Sequence, residues 1–147
     1  MQENITEDRL QHDFVMWFGQ KWPEHRKYLF EVNNNPKNKV HGSHRKSMGM
    51  VRSVSDLILI QPVTATTCGI EIKSPNSAWQ KSKIENQLNW GKGLIKNSGY
   101  YIMSSNIELL SKFASAIINN NIYMAVNAQN EAYKHIISQF KNKTIKF

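Results

Sequence analysis

The stretch SDLILIQPVTATTCGIEIK, residues 55–73, decides how this chain folds. Leu57-Ile58-Leu59-Ile60 is an unbroken apolar run, the pattern of a strand covered on both faces, and it predicts a strand over Ser55 to Ile60. Pro62 ends that strand. Thr66 to Lys73 reads as a second buried strand, which Ser74-Pro75-Asn76 terminates. The residues from Pro62 to Thr66 suffice for a hairpin between the two. Side chains two apart share a strand face, so Glu71 and Lys73 project together while Ile70 and Ile72 face the other way. A carboxylate and an ammonium set among apolar neighbours are costly to desolvate unless each is paired or bound to metal. Asp56, at the head of the neighbouring strand, can bring a second carboxylate to the same place. Two converging carboxylates attract a hard divalent cation, and Mg²⁺ takes one or two carboxylates with water and substrate phosphate completing its shell. A lysine beside such a cation can orient or deprotonate the attacking water or neutralise developing charge. The cation acidifies its water and clamps phosphate oxygens. This is equipment for phosphodiester hydrolysis. The bland alternative is a structural Glu71–Lys73 ion pair on an exposed strand face with Asp56 as a turn residue; the apolar neighbours argue against full exposure.

Outward from this hairpin, residues 5 to 20 place Leu10, Phe14, Trp17 and Phe18 at helical spacing behind Thr6, a candidate cap. Tyr28 to Val32 reads as a strand running into the turn residues Asn33-Asn34-Asn35-Pro36. Residues 34 to 52 hold Lys37, Lys39, His41, His44, Arg45, Lys46 and Arg52 with Gly42 and Gly49 and few apolar anchors, which predicts a mobile basic loop. Lys37, Lys39, His44, Arg45, Lys46 and Arg52 are candidates for DNA phosphate contacts. Two loop histidines without a third ligand make a poor metal site. C-terminal to the hairpin, Ser82-Lys83-Ile84-Glu85 fits a capping box, and Ile84, Leu88, Gly91 and Ile95 continue a helix until Gly99. Gln87 shares the inward face of that helix, where its amide must find partners. Tyr100 to Ser104 is a short strand. A second capping box, Ser105 to Glu108, opens a helix through Leu109, Phe113 and Ile117 that Asn119-Asn120-Asn121 closes. The tail after Gln129 predicts one more helix. Helix, three strands, helix, strand and further helices describe an α/β domain with a mixed sheet.

The 147 residues are long enough for one hydrophobic core and short for two, so a single domain over 1–147 is expected. No segment reaches the length of a membrane span, and the acidic start MQENITEDRL lacks a signal pattern; a cytoplasmic location is the expectation. Nineteen Lys and Arg against eleven Asp and Glu leave a charge of +8, which favours polyanionic partners. The lone Cys68 can form no disulfide within the chain and reads as a small buried hydrophobe. Trp17, Trp22, Trp79 and Trp90 read as core or edge residues, with Trp79 the nearest to the charged strand end.

Residues Gly49 to Lys73, followed by Gln87, resemble the PD-(D/E)XK nuclease superfamily, and its VRR-NUC branch above all. The matching elements are Ser55-Asp56-Leu57-Ile58 after a glycine-bearing loop, the return strand Glu71-Ile72-Lys73, Gln87-Leu88-Asn89-Trp90 on the next helix, and Gly99-Tyr100-Tyr101 at the following strand. Ser55 replaces the nominal proline, and Ser53 stands where a second loop glycine is often found. The resemblance implies a restriction-endonuclease-like αβββαβ core with a mixed central sheet flanked by helices. It implies that Asp56 and Glu71 ligate one or two Mg²⁺ or Mn²⁺ ions, that the Ile72 carbonyl completes the shell, that Lys73 positions the nucleophile and that Gln87 holds the site. Glu7, on the first helix, matches a further carboxylate near the metal. The implied activity is that of a metal-dependent endodeoxyribonuclease, extending to branched DNA such as four-way junctions and to a homodimeric assembly. Two other readings stay open: a non-catalytic nucleic-acid-binding protein on the same scaffold, and a nuclease of restriction type or directed at RNA.

Overall fold

The computed structural model describes residues 4–33, 38–76 and 79–142. Four strands, β1 (Leu29–Glu31), β2 (Leu57–Ile60), β3 (Thr67–Ile72) and β4 (Tyr100–Ser104), form one sheet in the order β1-β2-β3-β4. The first two pairings are antiparallel and the last is parallel, so the sheet is mixed, as expected. In the hairpin Leu57 lies opposite Ile70 and Ile60 opposite Thr67. Gln61 shapes its turn: the side-chain oxygen accepts from the Val63 and Thr64 amides at 2.6 and 2.7 Å. Asp56 and Lys73 therefore sit just past adjacent strand ends.

Helix α1 (Glu7–Lys21) starts at Thr6, whose hydroxyl accepts from the Arg9 amide at 3.0 Å. It buries Leu10, Phe14 and Phe18 against Ile70, Ile72 and Leu59 of the sheet and against α4 (Ile107–Ile118). Cys68 is buried in this same core. On the other face α3 (Lys81–Lys96) covers the sheet through Ile84, which clusters with Trp79, Tyr101 and Met103. The close approach requires glycine at Gly91, where an added Cβ would stand 2.2 Å from the Tyr101 ring. Helix α5 (Ile122–Asn142) lies along the outer edge of β4, and the Gln129 side chain accepts from the Tyr101 amide at 3.1 Å. That bond satisfies a strand-edge donor which would otherwise be open to another chain. Among the described residues no helix is long and apolar enough to cross a membrane.

Several boundaries differ from expectation, each for a local reason. The basic segment is not a loop throughout: residues 39–47 form α2 (Lys39–Ser47). Asn38 caps it by accepting from the His41 amide at 2.8 Å, and His44, Arg45 and Lys46 complement the dipole of its last turn. Gly49, at φ 102°, closes it while the Gly49 and Met50 amides donate back to Lys46 and Arg45. Tyr28 ends a 3₁₀ turn (Pro23–Tyr28) instead of opening β1. The capping boxes shift too: α3 begins at Lys81 with no side-chain cap, and α4 is capped by Asn106, not Ser105. The last helix starts at Ile122, seven positions before Gln129, because Asn120 takes a left-handed φ of 51° and turns the chain straight from α4 into α5.

A Gly91→Ala substitution pushes a methyl into the Tyr101 ring, which is itself held in the interior. Overpacking of this kind costs about 1–3 kcal/mol, and the expected result is a lower denaturant midpoint in a urea titration with an unchanged slope.

Candidate active site

The cleft at the C-terminal end of β3 has a volume of about 430 Å³ and is lined by Glu7, Arg52, Asp56, Glu71, Lys73 and Gln87, among others. Three segments converge there. The Ser74 hydroxyl donates to the Ile5 carbonyl at 2.7 Å and so pins the start of α1 beside the end of β3, which brings Glu7 to the rim. The hairpin register delivers Asp56 next to Glu71. The inward stripe of α3 brings Gln87 over the sheet, as its spacing from Ile84 predicts.

Glu71 is the centre of the arrangement. It is 2% exposed, Lys73 4% and Gln87 6%, so all three lie out of bulk water. One carboxylate oxygen of Glu71, Oε1, accepts from Gln87 Nε2 at 2.9 Å and faces Lys73 Nζ at 3.3 Å. The other, Oε2, is buried with no hydrogen-bond partner, as is Gln87 Oε1. Lys73 is held from its backbone as well, its amide donating to the Ser104 carbonyl at 3.0 Å. The exposed-face ion pair is therefore excluded by burial: the Glu71–Lys73 pair exists, but inside the protein.

Asp56 Oδ2 accepts from the Ile72 amide at 2.8 Å. The N–H and C=O of one strand residue point to the same edge, so the Ile72 carbonyl is directed to the Asp56 side. Burial, followed by the nearby Asp56 charge, pushes the Glu71 carboxyl up to about 8 against the pull of Lys73. Burial also raises Asp56, opposed by the Ile72 N–H and by Lys73. Glu7, though exposed, adds negative potential to both. Two carboxyl groups whose charged forms are this disfavoured, one with an unpartnered buried oxygen, fit a hard cation better than they fit each other. Their oxygen donors and the Ile72 carbonyl suit Mg²⁺ or Mn²⁺. Among the described residues no three His, Cys, Asp or Glu side chains gather as a metal cluster, so the donor set is two carboxylates, with Glu7 at the rim.

The other expected site residues are dispersed. Arg52 reaches the cleft, next to Ser53, whose φ of 68° is the left-handed conformation that a glycine adopts freely. Lys39 and Lys46 lie on α2 beside a separate cavity. His44 and Arg45, also on α2, are exposed and line neither space. Lys37 lies outside the described residues. Trp79 is structural: it is buried, and its indole N–H donates to the Ser74 carbonyl at 3.0 Å. Sequence reasoning missed Gln80, which immediately precedes α3, and Ser82, Lys83 and Asn86 on its first turns, all of which line the cleft. The available signal was helical spacing, since Gln80 and Lys83 precede Gln87 by seven and four positions.

A structure search finds this fold in a solved chain described as a VRR_NUC domain protein, with a TM-score of 0.62 at 20% sequence identity, covering 80% of this chain and 91% of that one. The chain thus has the fold of a VRR_NUC domain protein: a mixed α/β sheet flanked by helices, as the hairpin motifs implied. No protein-family model matches the chain, and no curated protein is significantly similar to it in sequence.

The raised Glu71 value fixes the sign of a pH dependence. Its stabilising contribution is complete below the ordinary value of 4.5 and is lost as pH rises through about 8, because the folded state then holds an ionised, buried carboxylate. Asp56 acts in the same direction. The metal-free protein is expected to lose stability across that window in thermal melts, and Glu71→Gln should flatten the loss; a melting temperature that rises with pH in wild type contradicts it.

Proposed function

We propose that this chain is a metal-dependent endodeoxyribonuclease whose reaction is centred on Glu71. The observation that carries the reading is the division of labour between the two Glu71 oxygens. Oε1 is committed to Gln87 and Lys73, while Oε2 is buried, without a donor, beside the second carboxylate of Asp56. A site meant only for a structural ion pair has no use for that unpaired oxygen, whose desolvation costs about 1–3 kcal/mol or more. Asp56, Glu71 and the Ile72 carbonyl would hold Mg²⁺ or Mn²⁺. When bound, the cation supplies an acidified water and charge neutralisation at the scissile phosphate.

The chain's own groups do the rest. Gln87 fixes the rotation of the Glu71 carboxylate by donating to Oε1. The Ile72 amide does the same for Asp56. Lys73, its ammonium held beside Glu71, orients the attacking water and offers positive charge to the phosphate as negative charge builds on its oxygens. Arg52, which also lines the cleft, would receive a neighbouring phosphate oxygen. The excess of basic residues attracts the polyanion. The resemblance of the hairpin motifs extends the reading to four-way junctions cut by a homodimer.

Asp56→Asn preserves the acceptor for the Ile72 amide, and Glu71→Gln preserves an amide acceptor for Gln87 and Lys73 but removes the carboxylate that pairs with Lys73, so the fold of each variant is checked by circular dichroism. Each is expected to lower Mg²⁺-dependent cleavage of labelled junction or linear DNA by at least about 100-fold, equivalent to roughly 2.7 kcal/mol of transition-state stabilisation, with DNA binding in EDTA retained. Wild-type cleavage that persists in EDTA, or that either carboxylate variant retains, overturns the assignment. Equal cutting of junction and linear duplex removes the branched-DNA part, and a monomer mass by light scattering removes the dimer.

A further inference from the structure

The segment between β1 and β2 holds more than the cleft uses. No carboxylate occurs from Val32 to Ser55, whereas Lys37, Lys39, Arg45, Lys46 and Arg52 all fall there. Folding of residues 39–47 into α2 sorts these cations by face. Lys39, Gly42, Ser43 and Lys46 follow the i, i+3, i+4, i+7 spacing of one helix stripe. That stripe, with Asn38, Met50 and Arg52, lines a cavity of about 350 Å³. Arg45, next to Lys46 in sequence, is turned about 100° away from it around the helix and does not line the cavity.

Lys39, Lys46 and Arg52 thus surround one concavity. None of the three forms an ion pair among the described residues. Like charges facing a common space without a counter-charge raise its positive potential and favour an anion there. Packing does not explain the helix either, since Gly42 is its one buried residue. Arg52 lines this cavity and the catalytic cleft alike, so the two spaces adjoin at one residue.

We propose that the cavity beneath α2 is a second nucleic-acid site, which takes a backbone phosphate of the same substrate whose scissile bond lies in the cleft. Lys39 and Lys46 hold that phosphate, and Arg52 bridges from it to the reacting centre. The identity of the substrate rests on the nuclease reading; the anion site rests on α2 and its lining alone. Contacts of this kind carry no base information, so they fix the register of the strand in the cleft.

The test is binding of a labelled DNA duplex in EDTA, followed over a range of salt concentrations, for wild type, Lys39→Gln, Lys46→Gln and Arg45→Gln. Lys46→Gln and Arg45→Gln remove the same charge from the same helical turn and differ in the face they alter. Each phosphate contact contributes about 0.9 to the slope of log affinity against log salt. Lys39→Gln and Lys46→Gln are each expected to lower the slope by about one, while Arg45→Gln keeps the wild-type value. Unchanged slopes in the lysine variants, or an equal loss in Arg45→Gln, overturn the proposal. So does inorganic phosphate that binds wild type in a Lys46-dependent way without displacing the duplex, which would assign the cavity to a free anion. Mg²⁺-dependent cleavage by wild type is scored separately: its absence with the expected slopes removes the nuclease reading and leaves the second site standing.

Discussion

A carboxylate withdrawn from water at Glu71, sharing one oxygen between an ammonium and an amide, is the constraint around which the rest of the structure is arranged. An ionised carboxylate in the interior costs several kcal/mol unless its partners are fixed in place. Each partner comes from a different element. Lys73 follows two residues later on the same strand face, and Gln87 arrives from α3, which can settle over the sheet because Gly91 admits the Tyr101 ring. The pairing leaves Oε2 unsatisfied, and that residual demand gives the cleft its chemical character.

The scaffold supports this centre by making everything near it stiff. Ile70 and Ile72 alternate with Glu71 and Lys73, and they anchor β3 in the core shared with α1 and α4. Rigid alternation is what keeps the charged pair pointing into the cleft, because a slip of one residue would turn both charges into the apolar layer. The edge of β4 is closed by Gln129 of α5, so the strand that carries the Ser104 carbonyl under Lys73 is itself held. The basic arm is different. It touches the core little, presents its charge to open space, and meets the cleft at Arg52.

Legibility followed the strength of the local signal. The hairpin, α1 with its Thr6 cap, and the inward face of α3 were readable because period-2 and period-3.6 patterns with large apolar residues leave few alternatives. Helix α2 was not: with Gly42 inside it and no apolar stripe, its pattern is that of a loop, and its signals were the Asn38 cap and the Gly49 terminator. The start of α5 was hidden by the Asn119-Asn120-Asn121 run, which reads as a long break yet forms a single tight reversal at Asn120. The capping boxes matched in composition and missed by a residue or more, since such short motifs compete with neighbouring caps such as Asn106.

The sequence by itself determined which side chains are strange for their surroundings. A Glu and a Lys set two apart in an apolar strand, with an Asp at the head of its hairpin partner, are visible without coordinates because strand periodicity assigns them one face. What the tertiary structure decided was how the charges are satisfied and who joins them. The choice of Gln87 as the donor to Glu71, the oxygen left without a donor, the presence of Glu7 and Arg52 at the same cleft, and the meeting of Arg52 with Lys39 and Lys46 at one cavity all depend on distances between segments apart in the chain. Periodicity fixes the direction of a side chain relative to its own element. Only the packing of one element on another fixes what that side chain meets.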